Sequence, residues 1–382
     1  MKDNRPIRIL HVVPGMMRGG IETWLMHVLR NIDRQRFQMD FLVQTAQPCD
    51  YDEEIRALGS KIIPCPRTRH PFRYARQFRS GVRAHGPYDV VHSHLYHLDG
   101  FVLRLAAQAG VKGRITHSRT DMRTVDAKRS LLRQAYLKLM KHWIARYATE
   151  RLAISTRAGQ ALFNGAGNKP TWQLVTTSMD LEPFRERVER ASVRAELGIP
   201  QDARVIGHVG RFAEEKNHRF VIEIMAEAAR RDPKVYLLLV GDGALRAEVE
   251  REVARRALQD RVVFAGSRPD VPRLMLGAMD VFVFPSHYEG LGRVAVEAQA
   301  AGLPCVLADI IPPEADVVPG LVRRLPVVDP STWAGASLEA ARKPRPVGGD
   351  EALRIVERGP FNLRNALEAL ERVYERVHDI GG

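Results

Sequence analysis

The stretch HYEGLGRVAVEAQAAGLP, beginning at His287, carries two carboxylates, Glu289 and Glu297, eight positions apart. A helix turns every 3.6 residues, so eight positions span a little over two turns. If the helix begins near Gly292, Glu297 lies in its first turns and Glu289 in the loop just ahead. Both then stand at the helix's positive end. Gly290 and Gly292 beside Glu289 expose backbone donors to an incoming ligand. This arrangement suits something small and hydroxyl-rich beside something anionic. The plainer reading is a pair of cap or surface carboxylates, which the flanking glycines make the poorer one.

Cations occur in HVGRFAEEKNH, where Arg211 and Lys216 follow an apolar run and precede a helical one. Two cations ahead of a helix N-terminus make a pocket for a diphosphate. A solvated loop in which they pair with Glu214 and Glu215 is an equal alternative. In MMRGGIET, Gly19 and Gly20 would let backbone N–H groups approach a phosphate, although Gly-Gly alone more often marks a tight turn. VGDGAL falls short of the G-x-G-x-x-G fingerprint because Arg246 holds its last position, which disfavours a nicotinamide cofactor. Asp50 and Asp52 have metal-like spacing but immediately precede a helix whose dipole they complement. No metal site is expected.

These residues need elements to hold them. IRILHVV, FQMDFLV, KIIPCP, DVVHSH and RITHSRTD read as strands separated by helices, and His92, His94, His117 and Arg119 fall at strand carboxyl ends. After an irregular stretch, a more regular series follows: RVIGHVGRF, VYLLLVGDG, RVVFAG, VFVFPS and PCVLAD alternate with helices. Such βα alternation predicts an α/β fold with parallel sheets covered on both faces, and ligands gather at the carboxyl ends of such strands. The pattern predicts two doubly wound, Rossmann-like domains facing an interdomain cleft, 1–185 and 186–360. Residues 361–382 form a last helix free to pack on either domain, with the N-terminal one a candidate.

The 382 residues suffice for two cores. No run approaches the ~20 apolar residues of a membrane span, and the N-terminus shows no signal-peptide pattern. Cys49, Cys65 and Cys305 form no CxxC pair. A cytoplasmic setting, possible also on the inner face of a membrane, is the expectation. The net charge of +13 is unusual. RTRHPFRYARQFRSGVRAHG puts Arg73, Arg76, Arg79 and Arg83 close to one helical face, and KRSLLRQAYLKLMKHWIARYATER is basic and amphipathic. Both suit docking on an anionic membrane surface, with a core-packed helix and solvated basic edge the equal alternative. No nucleic-acid-binding module is visible, so nucleic acid is not an expected partner.

Taken in order, GGIE (Gly19–Glu22), GRFAEEKN (Gly210–Asn217), VGDG and FPSHYEGLGRVAVEAQAAGLP resemble the retaining GT-B glycosyltransferases of family 4 over nearly the whole chain. The E-x7-E element is the most specific of these motifs. YDEEIRALG and VVHSHLYH look closest to the bacterial exopolysaccharide and capsule branch.

The resemblance implies a hexosyltransferase-type enzyme that needs no cofactor or metal. It would move a sugar from a nucleotide diphosphate donor, of the UDP or GDP type, to a glycan or lipid-linked acceptor. Arg211 and Lys216 would grip the diphosphate, and Gly19 and Gly20 would approach it. Glu289 would meet the sugar with the backbone of Gly290, Leu291 and Gly292, and Glu297 would hold the ribose. A histidine at an N-domain strand end would reach the sugar, His117 before His94, with Arg119 beside them as a sugar or acceptor contact. Arg119 stands where relatives often have a second histidine, Thr177-Ser178 replaces an Asn-Gly, and Arg293 replaces an aliphatic residue. A nucleotide-sugar epimerase of the same fold is the alternative, and a basic nucleic-acid-binding protein a distant one.

Overall fold

Apolar runs bounded by turn residues become strands, and the amphipathic stretches between them become helices. The computed structural model describes residues 5–68, 70–123, 126, 130–163 and 172–379. It contains two compact units, Met1–Met179 with Leu363–Gly382, and Asp180–Asn362. Arg69, Lys128 and Arg129 of the basic segments lie outside the described residues.

The first unit holds β1 (Ile7–Val13), β2 (Phe37–Val43), β3 (Ile62–Pro64), β4 (Val90–Ser93), β5 (Gly113–Ser118), β6 (Glu150–Ala153) and β7 (Gln173–Leu174). All pair in parallel in the order β3-β2-β1-β4-β5-β6-β7. The second unit holds β8 (Arg204–Val209), β9 (Val235–Val240), β10 (Val262–Gly266), β11 (Val281–Phe284), β12 (Cys305–Ala308) and β13 (Val322–Leu325). These are also parallel, in the order β10-β9-β8-β11-β12-β13. The strand order reverses at β1/β4 and at β8/β11, where the loops beyond the strand ends diverge and leave room for a ligand.

Helices packed on these sheets include α1 (Gly20–Asn31), α2 (Pro71–His85), α3 (Asp99–Gln108), α4 (Leu131–Tyr147), α5 (His218–Arg231), α6 (Arg293–Ala300) and α7 (Leu363–Asp379). The last helix returns to the first unit. Leu370, Val373, Tyr374 and Val377 enter the core formed by Ile9, Trp24, Leu25, Val90 and Ile115. Burying aliphatic side chains of this size contributes about 1.5–3 kcal/mol each. At its rim, Arg36 pairs with Glu371 and Glu375, and Arg376 with Glu150.

The unit boundary falls after Met179, ahead of the expected position at residue 185. The 3₁₀ turn Glu182–Arg185 belongs to the second unit: Phe184 is buried and Arg185 pairs with Glu357. A composition-based reading sees only the polar stretch around this turn, not the packing of one phenylalanine. Cys49, Cys65 and Cys305 are free thiols. Asp52 sits in the first turn of the helix Asp52–Ala57, and Asp50 accepts from the backbone N–H of Arg18 at 2.8 Å.

Candidate active site

In the second unit the loops leaving β8 and β11 meet. Lys216 Nζ donates to Glu289 Oε1 at 2.5 Å, and the ammonium lies 5.0 Å from the centre of the Phe284 ring. Two further bonds join the same loops. Asn217 Nδ2 donates to the Pro285 carbonyl at 3.1 Å, and the His287 N–H donates to the Glu215 carbonyl at 2.9 Å. Asn217 takes a left-handed conformation, φ 54°, which its short polar side chain tolerates. The chain thereby turns sharply from Lys216 into α5.

Gly210 makes this packing possible, because a Cβ there would lie 3.2 Å from Lys216 Cγ. The VGDG turn after β9 buttresses the same loop. A Cβ on Gly241 would fall 2.1 Å from the Gly210 carbonyl oxygen, and Gly241 and Gly243 have φ of 136° and 156°. Phe212 N–H donates to the Asp242 carbonyl at 2.9 Å across this contact. VGDG thus acts as a support for the cationic loop rather than as a dinucleotide fingerprint.

Arg211 pairs with Glu215 at 2.8 Å and its side chain is largely exposed. Gly292, with φ 84°, is the N-cap of α6, and a Cβ there would press on Ile311 at 3.0 Å. Leu291 is buried and anchors the turn. Glu297 lies in the second turn of α6 and accepts from Arg293 Nε at 3.0 Å. The structure therefore brings Lys216, Glu289, Gly290, Leu291 and Gly292 together at the β8/β11 switch point, with Arg211 at the rim. Buried Ser286 Oγ and Arg293 Nη1, in the same loop and at the start of α6, have no hydrogen-bond partner among the described residues.

In the first unit, register gathers the histidines. His11 lies opposite His92, and His92 opposite Ile115, so His11, His92 and His117 share one sheet face, with His94 just beyond β4. All four are buried under Trp24 of α1 and Tyr374 of α7. His117 Nε2 lies 3.1 Å from the Val175 carbonyl, which can only accept, so Nε2 carries the proton. The remaining protons then follow in one direction. His92 Nε2 donates to His117 Nδ1 (3.3 Å), Tyr374 Oη to His92 Nδ1 (3.0 Å), and His11 Nε2 to Tyr374 Oη (3.4 Å). His94 Nε2 donates to His11 Nδ1 (3.1 Å), and Arg119 Nη2 to His94 Nδ1 (3.4 Å).

Burial holds all four imidazoles below their ordinary range, with the Arg119 charge adding to it, and His11 is lowered to about 3. Burial also lowers Arg119 to about 9, which leaves it a cation at neutral pH. Ring nitrogens of His11, His92 and His94 come within 4.8 Å of one another. That spacing alone would suit a metal. Here His92 spends both nitrogens on Tyr374 and His117, His11 and His94 are bonded to each other, and a guanidinium stands alongside. The arrangement fits a hydrogen-bond relay better than a cation nest.

His117 and His94, expected to reach a sugar, are thus interior members of this relay with both ring nitrogens engaged. Among the described residues Arg119 is the member of the relay whose Nε and Nη1 find no partner. Gly19 caps α1 and Gly20 opens it, with nothing within 4 Å of a Cβ on Gly20. Glu22 folds back so that its carboxylate would collide with a Cβ on Gly19 at 2.4 Å. Sequence reasoning missed His11, Trp24 and Tyr374. The alternation of His92 and His94 hinted at a shared face, but nothing in the sequence supplied the strand register or the return of α7.

Two parallel-sheet Rossmann-like units carrying these loops define a glycosyltransferase of the GT-B fold, an enzyme that transfers sugars. The Glycosyl transferases group 1 family matches residues 189–335, and the Glycosyl transferase 4-like domain matches residues 19–175. The chain belongs to the group 1 glycosyltransferases. It is 38% identical over 345 residues to EpsF of Bacillus subtilis (strain 168), which carries a glycosyltransferase name, with 89% of each chain covered. It is 23% identical over 316 residues to an Escherichia coli UDP-Gal:alpha-D-GlcNAc-diphosphoundecaprenol alpha-1,3-galactosyltransferase, with 80% of each covered. The crystal structure of Anabaena Alr3699/HepE in complex with UDP superimposes with a TM-score of 0.82 at 19% identity, covering 97% of this chain and all of that one.

Proposed function

We propose that the protein is a retaining transferase that moves a sugar from a nucleotide diphosphate donor to a hydroxyl of a glycan or lipid-linked acceptor, in exopolysaccharide or capsule synthesis. The observation that carries this reading is the Lys216–Glu289 pair, bonded at 2.5 Å where α5 and α6 begin. A cation and a carboxylate in contact at two helix N-termini can separate to receive an anionic and a hydroxylated group.

Lys216 and Arg211 hold the diphosphate, and Glu289 with the backbone of Gly290–Gly292 holds the sugar hydroxyls. Glu297 holds the ribose, exchanging Arg293 for it, and Gly19 and Gly20 offer backbone N–H groups to phosphate oxygens. Charge that develops on the leaving diphosphate is met by these cations and helix N-termini, the role a metal has in other transferases. The acceptor hydroxyl arrives on the leaving-group face and gives its proton to a donor phosphate oxygen. His117 and His94 act from within the relay, orienting Arg119. UDP is the first candidate nucleotide, because the structural neighbour binds it.

Thermal melts with UDP, GDP and ADP test the donor site. A nucleotide at ~100 Kd should stabilise the protein by about 2.7 kcal/mol. No shift with any of the three rejects the reading. Conversion of the nucleotide sugar to an epimer, with no nucleotide released, supports the epimerase instead.

A second element of the proposal is docking on an anionic membrane surface. Among the described residues no helix is long and apolar enough to cross a membrane. Phe72 on α2 and Leu131 and Leu132 on α4 are each more than 80% exposed. Arg76, Arg79 and Arg83 line a groove on α2. Exposed apolar side chains beside arginines suit insertion at a headgroup layer. Sedimentation with vesicles should pellet the protein with anionic lipid and release it with salt. Equal pelleting by neutral and anionic vesicles removes the docking proposal.

A further inference from the structure

The histidine relay explains its own members but leaves its first donor incomplete. Arg119 follows β5 and is buried, with its guanidinium carbon 3.9 Å from the centre of the Trp24 ring. Among the described residues only Nη2 is bonded, to His94 Nδ1, while Nε and Nη1 are buried without partners. A buried cation with unmet donors is costly, because each N–H gives up its water without a replacement.

The cluster cannot supply the missing acceptors. The Val175 carbonyl fixes the direction of the chain, so every imidazole lone pair is already taken: His117 by His92, His92 by Tyr374, His11 by His94, and His94 by Arg119. The nearby acid is turned elsewhere, since the Glu22 carboxylate lies over Gly19. Asp99, whose field also reaches Arg119, is bonded to Ser93, Thr116 and the Leu95 N–H. Among the described residues no acceptor is left for these donors, which is the place a bound molecule would fill. Its acceptor atoms would arrive beside the first turns of α1, whose N-terminus starts at two glycines and favours negative charge.

We propose that Arg119 is the receptor for an oxyanion, a phosphate or a carboxylate, carried by the sugar acceptor, and that the Tyr374–histidine relay holds it in place through His94 Nδ1. The word acceptor rests on the transferase reading; the anion site rests on the geometry alone. His94, His11 and Tyr374 are positioning residues that act through Arg119.

The test compares thermal melts of the wild type, Arg119→Met and Lys216→Ala in inorganic phosphate and, separately, in UDP. Phosphate should raise the midpoint of the wild type and of Lys216→Ala, and its effect should be at least fivefold smaller on Arg119→Met. UDP should stabilise Arg119→Met but not Lys216→Ala. An undiminished phosphate effect on Arg119→Met, or its disappearance in Lys216→Ala, overturns the proposal. Loss of the UDP shift in Arg119→Met overturns the assignment to the acceptor. Failure of UDP to act on the wild type defeats the transferase reading and leaves the anion site to the phosphate arm. If Arg119→Met does not fold, the arginine Nε–H resonances of the wild type are followed during phosphate titration. One that shifts and is absent from Arg119→Lys supports the site, and none shifting overturns it.

Discussion

Glu289→Gln and Lys216→Ala are expected to move nucleotide binding in opposite directions while both suppress transfer. The Lys216 ammonium is spent on Glu289 Oε1 at 2.5 Å, and both side chains are mostly buried, with 18% and 13% exposure. A diphosphate must therefore displace a carboxylate before it gains the cation. Removing that competitor in Glu289→Gln frees Lys216, and UDP without its sugar should bind as tightly as to the wild type or up to about tenfold tighter. Removing the cation in Lys216→Ala deletes a charge-assisted bond of about 1.5–3 kcal/mol. UDP should then bind about 10–150-fold more weakly.

Transfer separates the roles further. Lys216→Ala removes charge stabilisation at the leaving group and should lower kcat by about 10²–10³. Glu289→Gln should lower kcat by a similar factor with UDP affinity intact, since a contact to the sugar acts on the transferred group. Calorimetry with UDP and initial rates with the UDP-sugar check both. If Glu289→Gln weakens UDP as much as Lys216→Ala does, Glu289 only braces the lysine. If either variant transfers within threefold of wild type, the site is elsewhere. The double variant measures the coupling directly, which should be large for two groups in contact.

The loops that bear these residues were legible because each follows an apolar run and precedes an amphipathic one. GRFAEEKN and HYEGLGRVAVE could be placed at strand ends without knowing the strand order. Their partnership could not. Lys216 meets Glu289 because β8 and β11 are neighbours, a fact of sheet order that skips β9 and β10. The sequence therefore suggested Glu214 and Glu215 as partners from proximity in the chain. Glu215 does pair with Arg211, while Lys216 crosses to the other loop. The relay was less legible still. His11 has no chemical neighbour in its own strand, and Tyr374 reads as an ordinary core position on a helical stripe. Only the β1–β4 register and the docking of α7 bring them within reach of His92.

Acid should unfold the first unit well before the second. His11, His92, His94 and His117 are buried neutral, with folded values below the ~6.5 of an unfolded histidine. A lowered value means that the unfolded chain binds the extra proton. The stability linked to these groups is therefore intact above about pH 6.5 and is lost as pH falls below it. Four such groups give a slope of roughly 5–6 kcal/mol per pH unit. His97, lowered by burial against the pull of Asp126, acts in the same direction. Asp99 opposes them: burial raises it to about 6, so the folded state gains as pH falls through that value. Glu22, also raised by burial, offsets His97, and Asp99 against the four relay imidazoles leaves a net uptake of about three protons, or roughly 4 kcal/mol per pH unit. A unit stable by ~5–15 kcal/mol should lose its fold between about pH 5 and pH 3. The second unit has two such histidines, His208 and His218, the latter lowered to about 4, and should survive to lower pH. Trp24, Trp143 and Trp172 report on the first unit and Trp333 on the second. In a Trp333→Phe variant the fluorescence transition should come at higher pH than the loss of the remaining helical circular dichroism, and should involve about three protons. Coincident transitions, or a first-unit transition taking up fewer than about two protons, would mean that the four imidazoles are not buried neutral in solution.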